Sequence, residues 1–385
     1  MHFLDAASKN SPWPLSEHIL KSRKKDNELF EALAAVNERF SKLQNSLVLN
    51  FFCEIADMKL CTFGVLTPLG LIERVGVYTE QGVVDATAAR QAFLERSLST
   101  AAAHRVGEAQ VPAEMIALIG SGQQAINWVA EAVEAVLKQG ISATSAGVRT
   151  VYLPSEIQLL APVKRPPSIV NFSVWPAHSA SAASLGIELA ANTVEALVKP
   201  YWKGNPDAVV GPETTLYRPP YAEVLDVECE LVCIVGTGGR DLDHAAAKRA
   251  IVGYSIMNDV SARERQSAEM KFGRGPSKGK DFDNGYPLGP WIVTADELGD
   301  PKALRMSLLV NGVERSACDT SGMIWDFPEM LSYLSCGQTI RPGSVISGGC
   351  YPGGSAHEVG IHLHPDDKVE MRVSKIGGLL STIGP

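Results

Sequence analysis

The second half of the chain is a succession of short apolar runs separated by turn residues, and this pattern limits the fold more than any other feature. From residue 166 onward, Gly, Pro and Asn-Gly turns divide the runs SIVNFSV, ELVCIVG, VGYSIMN, PWIVTA, MSLLVNGV and SVISGG. Short apolar runs bounded by turn residues predict β-strands. Helices are indicated at about 178–198, at DHAAAKRAI and at FPEMLSYLS. The pattern favours an antiparallel, β-rich roll over a doubly wound sheet.

The first 160 residues divide into two further pieces. Residues 1–57 carry apolar residues at helical spacing, which predicts a helical extension that packs on the main body or a partner subunit, or else is flexible. Residues 58–160 begin with β-like runs and a polar turn at Glu80-Gln81-Gly82, followed by helices near 85–103, 111–120 and 123–138. We therefore expect an α+β protein with a small N-terminal α/β domain over 58–160 and a main domain over 161–385.

Composition excludes several classes of protein. The 385 residues are 45% hydrophobic and 20% charged, which is enough for two domains with buried cores. A net charge of −8 argues against a nucleic-acid partner, because phosphate binding requires a basic field. No apolar run reaches the roughly 18 to 20 residues that cross a bilayer, and the N-terminus lacks a secretory apolar core. Seven cysteines without a CxxC pair favour a reducing compartment, the cytoplasm.

The stretch DVECELVCIVG, residues 226–236, carries acids on an otherwise apolar strand. With the period of two of a β-strand, Glu228 and Glu230 share a face and can direct oxygens at one point. In a buried strand two unpaired carboxylates repel each other and lose hydration, so a cation is expected to compensate them. A hard divalent ion with oxygen ligands meets this need. For an isolated pair of this kind, a solvent-facing edge strand is the more common explanation.

Further polar residues follow this strand in the sequence and could complete a cation site. The run AIVGYSIMNDVSARERQ leads an apolar strand into Asp259, and Arg263 and Gln266 come soon after. The Gly- and Lys-rich segment around Lys280 can present an ammonium and backbone N–H groups to an anion. Taken singly, Asp259 is typical of a turn or helix cap, and such a loop is usually only solvated.

Taken together and in order, these segments resemble the fumarylacetoacetate hydrolase family. The resemblance rests on YAEVLDVECELVCIVG, GYSIMNDVSARERQ, SKGKDFD, PLGPWIVTADEL, VNGVERS and RPGSVISGGCYPGGS. It covers roughly residues 58–385 and is strongest from 166. It implies a mixed β-sandwich roll, a homodimer and one divalent cation, usually Mg²⁺, with Ca²⁺ or Mn²⁺ as alternatives.

The resemblance also assigns roles to individual residues. Glu228, Glu230 and Asp259 fall on the metal ligands of the family, Lys280 falls on its active-site lysine, and Arg263 and Gln266 fall near the substrate. His178, in WPAHSASAAS, matches the catalytic histidine. A histidine titrates near neutral pH and can activate the attacking water, although on its own such a residue is more often a polar residue at a helix N-terminus.

Two positions depart from the family pattern. Asn171 stands where hydrolase members usually have an aspartate ligand; it offers a neutral carbonyl oxygen, and weaker metal binding is expected. The acid that often follows the catalytic histidine closely is missing, because HSASAAS contains no carboxylate and Glu188 lies several residues on. Without this acid, the sequence gives His178 no carboxylate that would increase its basicity.

Three functions remain open from the sequence. The leading hypothesis is metal-assisted hydrolysis of a C–C bond in a 2,4-dioxo acid such as an acylpyruvate. A lyase acting on a 2-oxo acid is the alternative, either an oxaloacetate decarboxylase or a dehydratase of 2-keto-3-deoxy sugar acids, which needs no base to activate water. The third is a non-catalytic binding member that recruits a partner through residues 1–57. The aromatic residues Trp175, Tyr201, Trp202 and Tyr351 are expected either to line a substrate pocket or to lie in the core.

Overall fold

The computed structural model describes residues 58–178, 198–273 and 275–385. The predicted helical extension over 1–57 and nearly all of the helix predicted at about 178–198 lie outside these residues. None of the helices in the described part of the chain is both long and apolar enough to span a bilayer.

Strands are the predominant secondary structure from residue 166 onward, as the turn-punctuated runs predict. The strands are β1 Lys59–Thr67, β2 Gly70–Thr79, β3 Gly82–Asp85, β4 Val151–Tyr152, β5 Gln158–Leu160, β6 Ile169–Phe172, β7 Tyr201–Gly204, β8 Val209–Val210, β9 Thr214–Leu216, β10 Leu225–Asp226, β11 Glu228–Val235, β12 Ile251–Asn258, β13 Ser261–Ala262, β14 Tyr286–Thr294, β15 Arg305–Val310, β16 Val313–Asp319, β17 Val345–Ser355, β18 Lys368–Val373 and β19 Gly377–Ile383.

The helices lie between these strands, mostly near the start of the described chain. They are α1 Ala86–Leu94, α2 Thr100–Gln110, α3 Met115–Gly120, α4 Gln123–Gln139, α5 His244–Ala250, α6 Arg263–Lys271, α7 Ala295–Leu298 and α8 Phe327–Ser335. The helix predicted over 85–103 is two helices, because the chain leaves helical conformation after α1 and restarts at Thr100. Helix α8 starts where its sequence predicts, since Asp326 and Glu329 form a reciprocal capping box.

One large mixed sheet contains strands from both of the predicted domains. Within the described residues its strand order is β4-β3-β2-β1-β14-β12-β11-β17-β6-β7, with β5 paired to β1 and β8 to β14. A second sheet has the order β16-β15-β18-β19-β9. Most neighbours are antiparallel, whereas β6 with β17, β8 with β14 and β9 with β19 are parallel. The β-rich α+β class is therefore confirmed, while the domain boundary near 160 stays a prediction.

Strand β11 lies in the interior, between β12 and β17, and every one of its residues is buried. One of its faces, with Leu231 and Cys233, packs in a core that also contains Leu308 of β15 and Met371 of β18. The other face begins with Glu228 and Glu230. The sequence assigned these faces correctly, and the acids are not on a solvent-facing edge.

Candidate metal centre and active site

The three predicted metal ligands converge at one end of β11 and β12. Glu228 and Glu230 come from β11, and Asp259 directly follows β12, whose last residue Asn258 pairs with Cys229. Their side-chain oxygens all lie within 4.8 Å of one another, and all three residues are buried. The prediction that alternate acids and a strand-end aspartate meet at one point agrees with this placement.

Lys280 lies among these carboxylates. Its ammonium Nζ donates to Glu228 Oε2 and to Asp259 Oδ2, each at 2.7 Å. The backbone carbonyl of Lys280 accepts a hydrogen bond from Tyr286 Oη at 2.7 Å, which fixes the chain there. Burial lowers the pKa of Lys280, but Asp259 and Glu228 outweigh that effect and raise the pKa above its ordinary value. The lysine is therefore held protonated beside the acids.

Arg263 and Gln266, on the first turn of α6, are also brought to this end of the strands. Arg263 Nη1 lies 2.7 Å from Glu228 Oε1 and donates to Gln266 Oε1 at 2.8 Å. Its Nε donates to Asp226 Oδ2 at 2.6 Å, so the guanidinium is engaged on several sides. Asp226 was not assigned a role from the sequence, although it begins the alternate-acid pattern of β11. In this arrangement Arg263 positions Glu228 and Gln266.

Neutral donors surround Glu230. Asn171 Nδ2 donates to both oxygens of Glu230, at 2.9 and 3.0 Å, and to Asp259 Oδ2 at 2.9 Å. Ser347 Oγ donates to Glu230 Oε2 at 2.7 Å. Asn171 thus contacts two of the predicted ligands, and its amide nitrogen is the atom turned toward them. Gly349 lies against this group with φ of 82°, and a Cβ there would meet Phe172 O at 2.3 Å.

Two carboxylates on the same strand face have pKa values shifted in opposite directions. Burial alone would raise the pKa of Glu228, but Lys280, Arg263 and His178 overcome it and lower the pKa. Burial, with Asp259 and Glu228 nearby, raises the pKa of Glu230 well above its ordinary value. Burial likewise raises the pKa of Asp259 to about 7, even with Lys280 beside it. Within the described residues, no ion pair joins Glu230 to a lysine or arginine.

The residues fit a divalent cation. Asp259 Oδ1 is buried and has no hydrogen-bond partner within the described part of the chain. Four buried carboxylates, those of Asp226, Glu228, Glu230 and Asp259, face the two cations Arg263 and Lys280, so full ionisation leaves an excess of two negative charges. Three converging carboxylates are the oxygen ligands that Mg²⁺, Mn²⁺ and Ca²⁺ take in proteins. A divalent ion at this point would balance the excess.

His178 has an acidic neighbour that the sequence did not reveal. Its Nδ1 lies 3.0 Å from Glu358 Oε1, although the two atoms lack hydrogen-bond geometry. Glu358 follows β17 and is far from His178 along the chain, so inspection of HSASAAS could not identify it. No acid follows His178 closely in the sequence, but Glu358 lies beside it in the fold. The Gly-rich segment at the end of β17 was the one sequence signal that could have indicated this contact, because it brings the chain back to the ends of β11 and β12.

The aromatic residues proposed for the pocket divide into two groups. Tyr351 is fully buried and its hydroxyl lies 3.0 Å from Ser316 Oγ, so it belongs to the core. Trp175 is buried and donates from Nε1 to Gly349 O. Trp202 is half-buried, and the Lys280 ammonium lies 5.9 Å from its ring centroid. Trp202 therefore flanks the lysine side of the site.

Comparison with known proteins identifies the family. The model of the fumarylacetoacetate (FAA) hydrolase C-terminal domain matches residues 172–384, more than half of the chain. The chain belongs to the fumarylacetoacetate hydrolase family. The match includes Glu228, Glu230, Asp259 and Lys280 and begins just before His178. The resemblance inferred from the ordered motifs is confirmed.

Several family members are similar over most of their own length. The mitochondrial oxaloacetate tautomerase of Bos taurus is 28% identical over 230 residues, which cover 60% of this chain and 70% of that protein. Fumarylacetoacetate hydrolase from Exiguobacterium antarcticum has a TM-score of 0.60 at 25% identity, covering 84% of this chain and 99% of that one. Fumarylpyruvate hydrolase from Pseudomonas aeruginosa, solved with Mn²⁺ and pyruvate, has a TM-score of 0.50 at 26% identity, covering 59% and 91%. These relatives are enzymes, and they include hydrolases and a tautomerase.

Proposed function

We propose that this protein is a divalent-metal-dependent hydrolase that cleaves a C–C bond in a 2,4-dioxo acid such as an acylpyruvate. The observation that carries the proposal is the placement of a buried carboxylate triad and a histidine–glutamate pair at the same strand ends. His178 is close enough to Glu228 to contribute to its lowered pKa. A fumarylpyruvate hydrolase, a structural relative solved with Mn²⁺ and pyruvate, supports both the substrate class and the ion.

The cation site serves the 2-oxo acid end of the substrate. A divalent ion held by Glu228, Glu230 and Asp259 supplies Lewis-acid polarisation of the 2-oxo group. We infer Mg²⁺ as the usual ion, with Mn²⁺ or Ca²⁺ as alternatives of similar ligand preference. Asn171 and Ser347 act on the ligands and not on the substrate, because both donate hydrogen bonds to Glu230.

His178 is the proposed base for the attacking water. It takes the proton as the water oxygen bonds to C4, and Glu358 stabilises the imidazolium that forms. The bond between C3 and C4 then breaks, which releases a carboxylic acid and the enolate of pyruvate, and this enolate takes up a proton. The 3.0 Å approach of Glu358 supports this role, since catalytic hydrogen bonds are often poorly aligned without substrate.

Hydrogen-bond donors are available for the negative charge that develops at the attacked carbonyl. We assign this to Lys280 and Gln266, with Arg263 as the residue that holds Gln266 in place. Because Gln266 Oε1 accepts a hydrogen bond from Arg263, the Nε2 amide of Gln266 is left to donate to the substrate. Preorganised donors of this kind typically lower the barrier of acyl transfer by about 3 kcal/mol each.

The test is a panel of acylpyruvates with Mg²⁺, in which release of pyruvate is measured. We expect turnover in wild type and its loss in both Glu228→Ala and His178→Gln. If the panel remains intact while Glu228→Ala abolishes some other activity on a 2-oxo acid, the hydrolase assignment is wrong. The expectations of a homodimer and of a cytoplasmic location remain predictions.

A second candidate is proton transfer on, or decarboxylation of, oxaloacetate. The similarity to the mitochondrial oxaloacetate tautomerase favours it, because that relative matches 60% of this chain. The sequence shows no acid close to His178, and this favoured a lyase. That argument no longer holds, because Glu358 lies 3.0 Å from His178. Oxaloacetate in the same panel, followed by its enol absorbance and by CO₂ release, separates these reactions from hydrolysis. A dehydratase would instead release a dehydrated 2-oxo acid, identified by its mass.

The non-catalytic alternative requires that the metal centre be inactive. Glu228, Glu230, Asp259, Lys280 and His178 are all present at one end of β11 and β12, which argues against it. Failure to bind Mg²⁺ at millimolar concentration would favour the binding-module hypothesis instead.

A further inference from the structure

Three side chains with different donor atoms meet beside the carboxylate triad. His178 offers an imidazole nitrogen, Cys350 a thiol sulfur and Glu358 a carboxylate oxygen, and one such atom from each lies within 4.8 Å of the others. Cys350 is on β17, and Glu358 lies three residues beyond the end of that strand. Hydrolysis, as proposed above, uses the histidine and the glutamate but gives the thiol no role.

Two of these donor atoms are buried and have no hydrogen-bond partner among the residues that the structure describes. They are His178 Nδ1 and Glu358 Oε1, which lie 3.0 Å apart. The side chain of Glu358 is only 4% exposed, and its other oxygen, Oε2, accepts from Gly353 N at 3.1 Å. Buried polar atoms in folded proteins are nearly always satisfied. These two atoms and the adjacent thiol sulfur are therefore available to one ion that accepts an electron pair from each of them.

The irregular pairing of β17 brings the thiol to this place. Glu230 pairs with Cys350 and Glu228 with Ser355, so β17 has extra residues opposite the short stretch of β11 between these two glutamates. Irregularities of this kind redirect side chains and are frequent beside active sites. Cys350 is therefore positioned by the same strand pairing that positions the triad.

Nitrogen, sulfur and carboxylate oxygen together form a set suited to zinc. Zn²⁺ is commonly bound by histidine, cysteine and acidic residues, whereas Mg²⁺ prefers oxygen ligands alone. Donors of a tetrahedral zinc ion lie about 3.5 Å apart, so side-chain movements of roughly 1 Å or less are enough to place the three donors around one ion. A thiol that binds such an ion releases its proton.

We propose that His178, Cys350 and Glu358 form a second cation site, selective for thiophilic divalent ions such as Zn²⁺, whose occupation withdraws His178 from catalysis. The triad of Glu228, Glu230 and Asp259 remains the site of the hard ion. Zn²⁺ is then an inhibitor of the Mg²⁺-loaded protein. The binding claim stands on the donor set alone, whereas the inhibition claim rests on the proposed function.

The binding claim is tested by titrating the full-length chain with Cd²⁺ in excess Mg²⁺ and recording the ultraviolet thiolate-to-metal charge-transfer band. An ion bound only by carboxylates gives no such band, so the signal reports the thiol site. We expect saturation at one ion per chain, loss of the band in Cys350→Ser, and retention in Cys336→Ser, whose exposed thiol is the matched control. Absence of the band in wild type, or its persistence in Cys350→Ser, would overturn the proposal.

Glu358→Gln provides a second variant that keeps the thiol. We expect Cd²⁺ affinity to fall about tenfold or more, because one ligand is replaced by a weaker one. An unchanged affinity would remove Glu358 from the site. For inhibition, the Zn²⁺ concentration that halves turnover should rise at least about tenfold in Cys350→Ser, and equal sensitivity would contradict it. If no substrate is turned over, the proposed function is wrong. The charge-transfer band still shows whether His178, Cys350 and Glu358 bind an ion.

Discussion

Glu228 and Glu230 show how neighbouring residues determine the state of chemically identical side chains. Glu228 has Lys280 and Arg263 at 2.7 Å and is ionised, whereas Glu230 has only the neutral donors Asn171 and Ser347. Asp259 shares Lys280 with Glu228 but keeps a pKa raised to about 7 by burial. Without a cation, the cluster therefore retains proton near neutral pH. A bound cation requires the ionised forms, so its binding must release proton.

Mn²⁺ affinity should accordingly depend on pH. Because the raised pKa of Asp259 is about 7, we expect the affinity to increase as pH rises through 7 and to weaken below it. Calorimetric titration in buffers of different ionisation enthalpy measures both the affinity and the protons released. An affinity that is constant between pH 6 and pH 8, with no proton release, would show that the carboxylates are already ionised.

Glu358→Gln tests the role of the residue that contacts His178. The amide keeps the shape of the side chain but cannot stabilise an imidazolium, so we expect kcat to fall about 100-fold with KM nearly unchanged. The measurement is steady-state kinetics on the dioxo acid that wild type cleaves fastest. Glu314→Gln, on the exposed strand β16, is the control and should match wild type. A change confined to KM would instead place Glu358 in substrate binding.

At the scale of secondary structure, the junction of β10, β11 and α6 carries the site. Asp226, the last residue of β10, accepts hydrogen bonds from Arg263 Nε and from Ser355 Oγ, each at 2.6 Å, and from the backbone N–H of His357 at 3.0 Å. This carboxylate thus links three parts of the chain that are distant in sequence. It also fixes the guanidinium that contacts Glu228.

Asp226→Asn should destabilise this junction. The substitution leaves the buried Arg263 with one fewer anion, and breaking a buried ion pair costs about 3 kcal/mol of unfolding free energy. Urea denaturation measures the loss. Glu156→Gln, which removes the exposed partner of Arg149, is the matched control and should unfold like wild type. Equal stability of Asp226→Asn and wild type would show that the pair contributes little.

The strands were predictable because apolar periodicity and turn residues are local signals. β11 and β12 begin and end close to the predicted runs, and Asp259 does follow the strand as expected. Glu358 was not predictable, because its contact with His178 depends on pairing of β17 with β11 and β6, which no local pattern encodes. The split between α1 and α2 was missed for a different reason, because the alanine-rich segments on both sides of it favour helix.

At the scale of the whole molecule, the candidate metal centre lies at the large sheet that includes strands of both predicted domains. Strand β1 of the predicted small domain pairs with β14, which pairs with β12, and Asp259 directly follows β12. A ligand that binds only the folded protein stabilises it, by about 2.7 kcal/mol at a concentration of 100 times Kd. Occupation of this buried site is therefore expected to stabilise the protein against unfolding.

Thermal unfolding with and without Mn²⁺ measures how much metal binding stabilises the folded protein. We expect Mn²⁺ to raise the Tm of wild type and to leave the Tm of Glu230→Gln nearly unchanged. Without metal, Glu230→Gln should be at least as stable as wild type above pH 7, since ionising Glu230 beside Asp259 is unfavourable. Leu231→Ala, on the opposite face of β11, is the control: it should lower stability by about 2 to 5 kcal/mol and keep the response to Mn²⁺. A Glu230→Gln variant that is strongly destabilised without metal would argue against repulsion among these carboxylates.

The most direct test of the carboxylate triad is a Mn²⁺ titration followed by electron paramagnetic resonance, with pyruvate added at saturation. We predict one ion per chain in wild type, a change of the bound Mn²⁺ spectrum when pyruvate is added, and loss of this binding in Glu230→Gln. Equal Mn²⁺ binding by wild type and Glu230→Gln, or a bound spectrum that pyruvate does not alter, would contradict the assignment of Glu228, Glu230 and Asp259 as the ligands of a substrate-binding cation.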